Sequence, residues 1–294
     1  MEIVLALITA FAFGVDFFLI RKGLIKYPYP LAAAFITLTI NISFFTVLSF
    51  IWVPSEILKW KLVYPFIIAG VLAPGCARIF SYKGLETLGM SITAPIINAE
   101  SLFSVAMALI FLNESFNLPM MVGILSVVFG LVSLGYETGQ KNGGKISCHP
   151  RYRYLLYPIM ASIFYGISVF FRKLGLNMLS SPILGATVTS GTSWCILALL
   201  LTTSGNAQKL YQIKKESFIY FAIGGGVTCI AWLSLFHALN IGKVVIVTPI
   251  ASTYSLFTLL LSYFLLRHVE QIKLKIVAAT ILIVGGVVLL ALVK

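Results

Sequence analysis

The sequence contains few charged residues for its length. Of its 294 residues only 10% are charged, whereas 60% are hydrophobic. A water-soluble domain of this size needs far more charge to cover its surface. The hydrophobic residues instead fall in runs of about 20, the length at which a helix crosses a hydrocarbon core of roughly 30 Å. Because backbone in lipid must satisfy its own hydrogen bonds, and the alternating pattern of a membrane β-barrel is missing, we predict an all-α integral membrane protein.

The sequence also lacks the signatures of metal sites, disulfide frameworks and common enzymes. Its cysteines are widely scattered, without CxxC or Cys/His spacing: Cys76, Cys148, Cys195 and Cys229. Neither an HExxH nor a GxSxG motif occurs. Residues 84–91 have the spacing of a phosphate-binding loop, but Met90 stands where that loop requires Lys. We therefore expect no metal, no cofactor and no enzymatic activity.

The positive charges are numerous and unevenly placed. Lys and Arg outnumber Asp and Glu by 21 to 9, which in a soluble protein suggests a nucleic-acid partner. Here nearly all of them lie in short loops, where they set membrane orientation, so we expect no nucleic acid. With Arg78 left out as intramembrane, 14 lie on one face and six, among them Arg172 and Lys173, on the other. The positive-inside rule then places both termini outside the cytoplasm, in an inner or plasma membrane.

Ten hydrophobic stretches are long enough to be transmembrane helices. They cover residues 3–21, 31–53, 62–82, 90–112, 118–136, 154–172, 183–203, 217–238, 244–266 and 273–293. Most connections are short, but residues 137–153 are polar and contain several Gly, which is typical of a linker. We therefore predict ten transmembrane helices, divided into a first five-helix domain (1–136) and a second one (154–294).

The two predicted domains are similar in sequence. A shift of 152 positions places Gly14 on Gly166, and a shift of 154 places Ser101-Leu102-Phe103 on Ser255-Leu256-Phe257. Matches in this order and at a nearly constant offset indicate an internal repeat. Because five is an odd number, the second repeat enters the membrane from the opposite face. Inverted repeats of this kind are typical of secondary transporters, whose substrate site lies near the midplane where the repeats meet.

The fourth predicted helix contains Pro95-Ile96-Ile97-Asn98-Ala99-Glu100-Ser101 and ends at Asn113-Glu114. This stretch and the two five-helix repeats resemble the EamA-type ten-helix exporters of the drug/metabolite transporter superfamily. In that family Pro usually follows the first Glu and Gly precedes the last, where this chain has Ser101 and Asn113. The resemblance covers the chain outside the linker. It implies export or exchange of small metabolites such as amino acids, amines or drugs without ATP, and it implies termini in the cytoplasm, opposite to the charge distribution.

Three ionisable residues inside predicted helices are the main candidates for the site: Asp16, Arg78 and Glu100. Each costs about 2.5–3.5 kcal/mol to insert into a bilayer, so such residues usually have a function. Asp16 and Arg78 lie at similar depth in parallel helices, and Glu100 lies near the midplane. One arginine between two carboxylates leaves a surplus negative charge, which a proton can neutralise and exchange for a cationic or zwitterionic solute. A static pair of Arg78 with Asp16 or Glu100 that fixes helix packing is the alternative.

The repeat indicates what lies opposite these charges. The shifts place Asp16 on Ser168, Arg78 on Trp232, Asn98 on Ser252 and Glu100 on Tyr254. One repeat thus offers charge and the other aromatic and hydroxyl groups, which suits an amphipathic organic solute better than an inorganic ion. We therefore predict that polar and aromatic side chains also line the cavity: Asn98, Trp232, Ser252, Tyr254, Tyr82 and Tyr165. For the last two, packing against lipid or protein is the alternative.

These features predict a secondary transporter that moves a small organic metabolite, such as an amino acid, an amine or another amphipathic compound, by alternating access. Its partners are then this solute and the membrane lipids. The sequence leaves open whether protons are coupled to transport and whether the protein is a monomer or a homodimer. Two other functions stay open: a lipid flippase of the same fold, and an intramembrane enzyme that modifies a lipid.

Overall fold

The computed structural model describes residues 1–53, 60–112, eight positions between 122 and 133, and residues 151–203, 208–266 and 274–292. Every element within these residues is helical. The first repeat contains α1 (Glu2–Lys26), α2 (Pro30–Trp52), α3 (Trp60–Gly70), α4 (Ala77–Leu88), α5 (Met90–Ile97) and α6 (Glu100–Leu112). The second repeat contains α7 (Arg151–Met178), α8 (Pro182–Thr203), α9 (Gln208–Tyr211), α10 (Lys215–Ile241), α11 (Val244–Ser252), α12 (Tyr254–Leu265) and α13 (Leu274–Leu292).

Seven helical stretches of the described residues are long and hydrophobic enough to cross a membrane, and residues 274–289 form a shorter hydrophobic helix. The predicted fourth span is divided between α5 and α6, each of which is too short to cross alone. The predicted fifth span (118–136) lies largely outside the described residues, as do the end of the motif at Asn113-Glu114 and most of the linker 137–153. The all-helical membrane fold is therefore confirmed, and the count of ten spans stays a prediction.

Contacts at the helix ends show how α1 and α10 run. The end of α1 meets the start of α10, where Lys26 forms an ion pair with Glu216. The start of α1 meets the end of α10, since a Cβ added to Gly242 would collide with the carboxylate of Glu2. The two helices are therefore antiparallel. We call the two ends of the bundle the Lys26 face and the Glu2 face.

The first helices of the two repeats run in opposite directions. Lys173, near the end of α7, donates hydrogen bonds to the carbonyl oxygens of Leu239 (2.8 Å) and Gly242 (3.0 Å). Both acceptors lie at the Glu2 face, so α7 ends where α1 begins. Arg21 makes the related contact at the Lys26 face, where it donates to the carbonyl oxygens of Leu85 and Glu86 at the end of α4. The two repeats are thus inverted, and a basic side chain binds the carbonyl end of a helix at each face.

Two glycines bring the repeats into close contact. A Cβ added to Gly166 would lie 2.5 Å from the carbonyl oxygen of Glu100 and 2.6 Å from Cβ of Phe103. A Cβ added to Gly14 would lie 2.6 Å from Cβ of Phe257, close to the Tyr254 carbonyl. The shift of 152 relates the two glycines, and the shift of 154 relates Glu100 to Tyr254 and Phe103 to Phe257. The first helix of each repeat therefore crosses the fourth helix of the other at a point where only Gly fits.

The helices at the centre of the bundle are interrupted. Between α5 and α6 the backbone tightens, with the amide of Ala99 donating to the carbonyl of Ile96 (3.1 Å); the amide of Thr253 donates to Ile250 in the same way (3.1 Å) before α12. The predicted third span is also broken, because Val71–Cys76 forms a π-helical turn in which Ala73 has non-helical dihedrals (φ −152°, ψ 131°). Such breaks at membrane depth are tolerated where they line a cavity or are buried in protein.

Candidate functional site

A cavity lies between the interrupted helices at the centre of the bundle. We call it the chamber. Its empty space amounts to about 500 Å³, of which about 40 Å³ admits the centre of a water molecule. It is lined by two acidic, two basic and nine aromatic or aliphatic side chains: Asp16, Glu100, Arg78, Arg172, Phe13, Phe17, Tyr82, Ile97, Tyr165, Val169, Trp232, Leu235 and Tyr254. A narrow space with converging charges is typical of a site for a small polar solute.

Seven of the residues predicted from sequence line this chamber: Asp16, Arg78, Glu100, Tyr82, Tyr165, Trp232 and Tyr254. They come from both repeats. The position of Glu100 follows from the break before α6, which turns the first residue of that helix toward the centre of the bundle. Trp232 packs edge-on against Phe13, with ring centroids 5.2 Å apart. The chamber therefore has charged and aromatic walls.

The structure places Asn98 and Ser252 elsewhere, although the sequence predicts that they line the cavity. Asn98 Nδ2 donates to Ser255 Oγ (2.5 Å), and the hydroxyls of Ser101 and Ser252 are 2.7 Å apart. The two contacts are equivalent under the repeat, and together they join the fourth helices of the two repeats. A buried hydroxyl or amide in lipid needs such a partner. Ser101, which replaces the usual Pro of the family motif, thus takes part in the contact between the repeats.

Arg172 is the charged chamber residue that the sequence interpretation missed, because it was counted among the loop residues. Its side chain is only 1% exposed. The guanidinium carbon lies 4.3 Å from the centre of the Trp232 ring, and Nη2 donates to the Ala73 carbonyl oxygen at the break after α3 (2.6 Å). The predicted sixth span stopped at residue 172, whereas α7 continues to Met178. The hydrophobic residues beyond the Arg-Lys pair were the signal that the helix continues. Without Arg172, the smaller group of predicted loop charges falls from six residues to five.

The chamber therefore holds two acidic and two basic side chains, and their formal charges cancel. This corrects the expectation of one arginine between two carboxylates with a surplus negative charge. All four side chains belong to the described residues, and within these no guanidinium nitrogen of Arg78 or Arg172 lies within 4.0 Å of a carboxylate oxygen of Asp16 or Glu100. Attraction acts over a longer distance, between Arg78 and Asp16 and between Arg172 and Glu100. The direct static pair considered above is not formed in this state.

Arg78 is held by a hydroxyl rather than by a carboxylate. Its Nη1 donates to Thr37 Oγ1 (3.2 Å), and its guanidinium carbon lies 5.9 Å from the centre of the Tyr82 ring. Arg172 is held in a similar way by a carbonyl and an aromatic ring. Neutral partners fix both guanidinium groups and leave their charge uncompensated at short range.

Three buried polar atoms at the chamber have no hydrogen-bond partner within the described residues: Asp16 Oδ1, Arg172 Nε and Trp232 Nε1. Asp16 is 3% exposed and Trp232 is 4% exposed. Leaving a buried polar atom unpaired costs about 1–3 kcal/mol, and more for a charged group. The set contains one acceptor and two donors, so it can bind a group of each kind.

A model of the EamA-like transporter family matches residues 1–136 and 153–292. The chain belongs to the EamA-like transporter family. This membership agrees with the resemblance found in the sequence and with the membrane-length helices. The EamA-like chain is thus an integral, multi-pass membrane protein of a family of transporters.

The chain is also similar to a curated protein and to a solved structure. The EamA-like chain is 23% identical over 94 residues to an "Uncharacterized transporter in cobO 3'region" of Sinorhizobium sp, a match that covers 32% of this chain and 66% of that relative. It also resembles a solved structure titled "Crystal structure of protein", with a TM-score of 0.70 and 16% identity, over 97% of this chain and 95% of the other. At that identity the second likeness supports the fold alone.

Proposed function

We propose that this EamA-like transporter moves a small zwitterionic organic solute, such as an amino acid, through the chamber by alternating access. The observation that supports the proposal is the combination of balanced opposite charges with unpaired polar atoms in one buried space. A purely cationic or anionic solute would leave two like charges of the chamber without a partner. A zwitterion offers an opposite charge to both kinds.

The unpaired atoms suggest how such a solute lies. Arg172 Nε and Trp232 Nε1 are donors without acceptors, and a carboxylate can bind both. Asp16 Oδ1 is an acceptor without a donor, and an ammonium group can bind it. The ring of Tyr254 is a further partner for a cation, because aromatic faces attract ammonium groups. In this arrangement the carboxylate points to α7 and α10, and the ammonium group points to α1.

The inverted repeats support alternating access as the mechanism. The first helix of each repeat crosses the fourth helix of the other repeat in the same way, at Gly14 in one case and at Gly166 in the other. Two similar halves can exchange their conformations, which exposes a central site first to one face and then to the other. Transport by this mechanism needs no ATP, because the gradient of the solute or of a coupled ion supplies the free energy.

Counterflow into proteoliposomes tests the proposal. Vesicles loaded with unlabelled alanine or leucine should take up the labelled amino acid, and the corresponding amine or carboxylic acid should exchange at least tenfold more slowly. Asp16→Asn and Arg172→Gln should each lower amino-acid exchange at least tenfold, since each removes a charged hydrogen-bonding group (about 1.5–3 kcal/mol). Arg153→Gln, at an exposed position of α7, is the matched control and should retain exchange.

Other outcomes would favour other functions. Faster exchange of amines than of amino acids would contradict a zwitterionic solute. Movement of a labelled phospholipid between leaflets without solute exchange would indicate a flippase. Appearance of a covalently changed lipid would indicate an intramembrane enzyme.

A further inference from the structure

A second cavity lies on the Glu2 side of the chamber, between α6, α7 and the start of α11. About 490 Å³ of it admits the centre of a water molecule, compared with about 40 Å³ in the chamber. Its walls are mostly hydrophobic, with Met107 and Phe111 on α6 and Phe170 and Leu174 on α7. The rings of Phe111 and Phe170 touch, with centroids 5.2 Å apart. A hydrophobic space of this size can take a chain of several carbon atoms.

The chamber and this second cavity follow one another along the same helix, α6. Glu100 lines the chamber, while Ser104, Met107 and Phe111 line the second cavity. These four residues are spaced by four, three and four positions, so they share one face of α6. The three turns from Glu100 to Phe111 span roughly 16 Å at 1.5 Å per residue. A solute whose charged group lies at Glu100 can therefore extend its other end along this face.

The opposite face of the molecule has no matching space among the described residues. The repeat relates Met107, Phe170 and Val244 of this cavity to Leu261, Phe18 and Met90. Those three side chains pack together in one hydrophobic cluster. A hydrogen bond between the hydroxyls of Ser91 and Ser262 (2.9 Å) joins α5 and α12 beside them. The space along α6 toward the Glu2 face is therefore open, whereas the position that the repeat relates to it, toward the Lys26 face, is filled by packed side chains.

We propose that the second cavity is an antechamber that binds the hydrophobic part of the transported solute while its charged groups lie in the chamber. This inference rests on the proposed function and narrows its substrate to zwitterions with a long hydrophobic side chain. A phospholipid is the less suitable occupant, because Lys173, the basic residue of this lining, already donates to the carbonyls of Leu239 and Gly242. A phosphate would need a cation that is not already engaged.

Homologous series of ligands test the antechamber. The protein in lipid nanodiscs is titrated with 2-aminoalkanoic acids from alanine to 2-aminododecanoic acid, and with n-alkylamines and n-alkanoic acids of the same lengths. Burying one methylene contributes about 0.8 kcal/mol, so affinity should rise about fourfold with each added carbon. Affinity should rise with chain length in every series that binds, because the antechamber contacts only the alkyl chain of the ligand.

A matched pair of variants locates the effect. Phe111→Ser should weaken binding of 2-aminododecanoic acid at least tenfold and leave alanine binding unchanged. Phe264→Ser is the control, because Phe264 is similarly exposed (70%, compared with 61% for Phe111) and does not line either cavity. The control should retain the full dependence on chain length.

The possible failures can be told apart. Equal affinity for all chain lengths, or an unchanged dependence in Phe111→Ser, would overturn the antechamber even where alanine binds. A phospholipid that copurifies with the protein and is lost in Phe111→Ser would also overturn it, in favour of a lipid site. Weaker binding of amino acids than of amines and alkanoic acids would overturn the proposed function, while a chain-length dependence in those series would still support the antechamber. Absence of binding in all three series would contradict both.

Discussion

Glu100 follows the break between α5 and α6, and its carboxylate is attracted by the guanidinium of Arg172 across the chamber. Glu100→Gln removes the negative charge and nearly keeps the shape, so Arg172 loses the charge that attracts it, and the ammonium group of the proposed solute, bound at Asp16, loses the second acidic group of the chamber. A hydrogen bond to a charged group contributes about 1.5–3 kcal/mol, so we expect counterflow to fall roughly 10- to 150-fold. The yield of folded protein should stay unchanged. The measurement is the initial rate per folded molecule.

The control for Glu100→Gln is the same change at an exposed position. Glu216→Gln removes the ion pair with Lys26 at the Lys26 face. Exposed pairs contribute about 0–1 kcal/mol, so this variant should transport at nearly the original rate. Loss of folded yield in Glu100→Gln, at unchanged rate per folded molecule, would instead support a structural role for the carboxylate.

At the scale of residues, burial in lipid is the most reliable signal that the sequence offers. Asp16, Arg78 and Glu100 lie deep in hydrophobic runs, and the cost of inserting them points to a shared polar space. Arg172 was not recognised as a chamber residue, because a basic residue close to the end of a span is equally compatible with a loop. Asn98 and Ser252 were misplaced because the repeat identifies equivalent positions without indicating which side of the helix faces the partner helix.

At the scale of helices, the close crossing of α6 and α7 depends on Gly166. Gly166→Ala would place a Cβ 2.5 Å from the Glu100 carbonyl oxygen, and backbone on both sides leaves no flexible group to move. Overpacking of this kind costs about 1–3 kcal/mol, so we expect a lower melting temperature. Because α6 must shift, and Glu100 is its first residue, counterflow should also fall at least tenfold. Thermal unfolding and counterflow are measured on the same preparation.

Gly226 provides the comparison for Gly166. It lies in the middle of α10, and a Cβ added there would meet nothing within 4 Å. Because Ala forms helices better than Gly by about 1 kcal/mol, Gly226→Ala should retain transport and unfold at an equal or higher temperature. Equal effects of the two substitutions would mean that helix propensity, rather than the close crossing, determines the result.

The break after α3 shows which part of helix structure could not be predicted. Pro74 lacks an amide hydrogen and makes an interruption expected in this region. The sequence does not indicate which groups bind the carbonyl oxygens that the break releases. In the structure Ser168 Oγ donates to Ala73 (3.1 Å), and Ser193 Oγ donates to Gly70 (2.7 Å). Both donors belong to the second repeat, more than 90 positions away along the chain, so only the folded structure brings them to the break.

At the scale of the whole molecule, the sequence repeat predicted which helices of the two repeats meet, but it did not predict how the two faces of the molecule differ. The matched contacts of Asn98 with Ser255 and of Ser101 with Ser252 follow from the same shift that identified the repeat. The shift in sequence cannot predict the difference between the two faces, because alternating access requires two similar halves to adopt different conformations at any one time. Met107 and Leu261 occupy equivalent positions, yet one lines a cavity and the other packs in a hydrophobic cluster.

This asymmetry leads to a test of alternating access. Ser91 and Ser262 hold α5 and α12 together beside the hydrophobic cluster toward the Lys26 face. Neighbouring cysteines at these positions, Ser91→Cys with Ser262→Cys, should form a disulfide when oxidised, since their side chains are already in contact. Once cross-linked, the protein cannot open at this face, so counterflow should fall at least tenfold and recover when a reductant is added. Binding of the solute from the Glu2 face should persist, because the antechamber remains open.

Each single cysteine variant, oxidised in the same way, is the control for the native cysteines. Full counterflow through the cross-linked protein would show that the Lys26 face does not need to open for transport, and the mechanism proposed for the two repeats would be wrong.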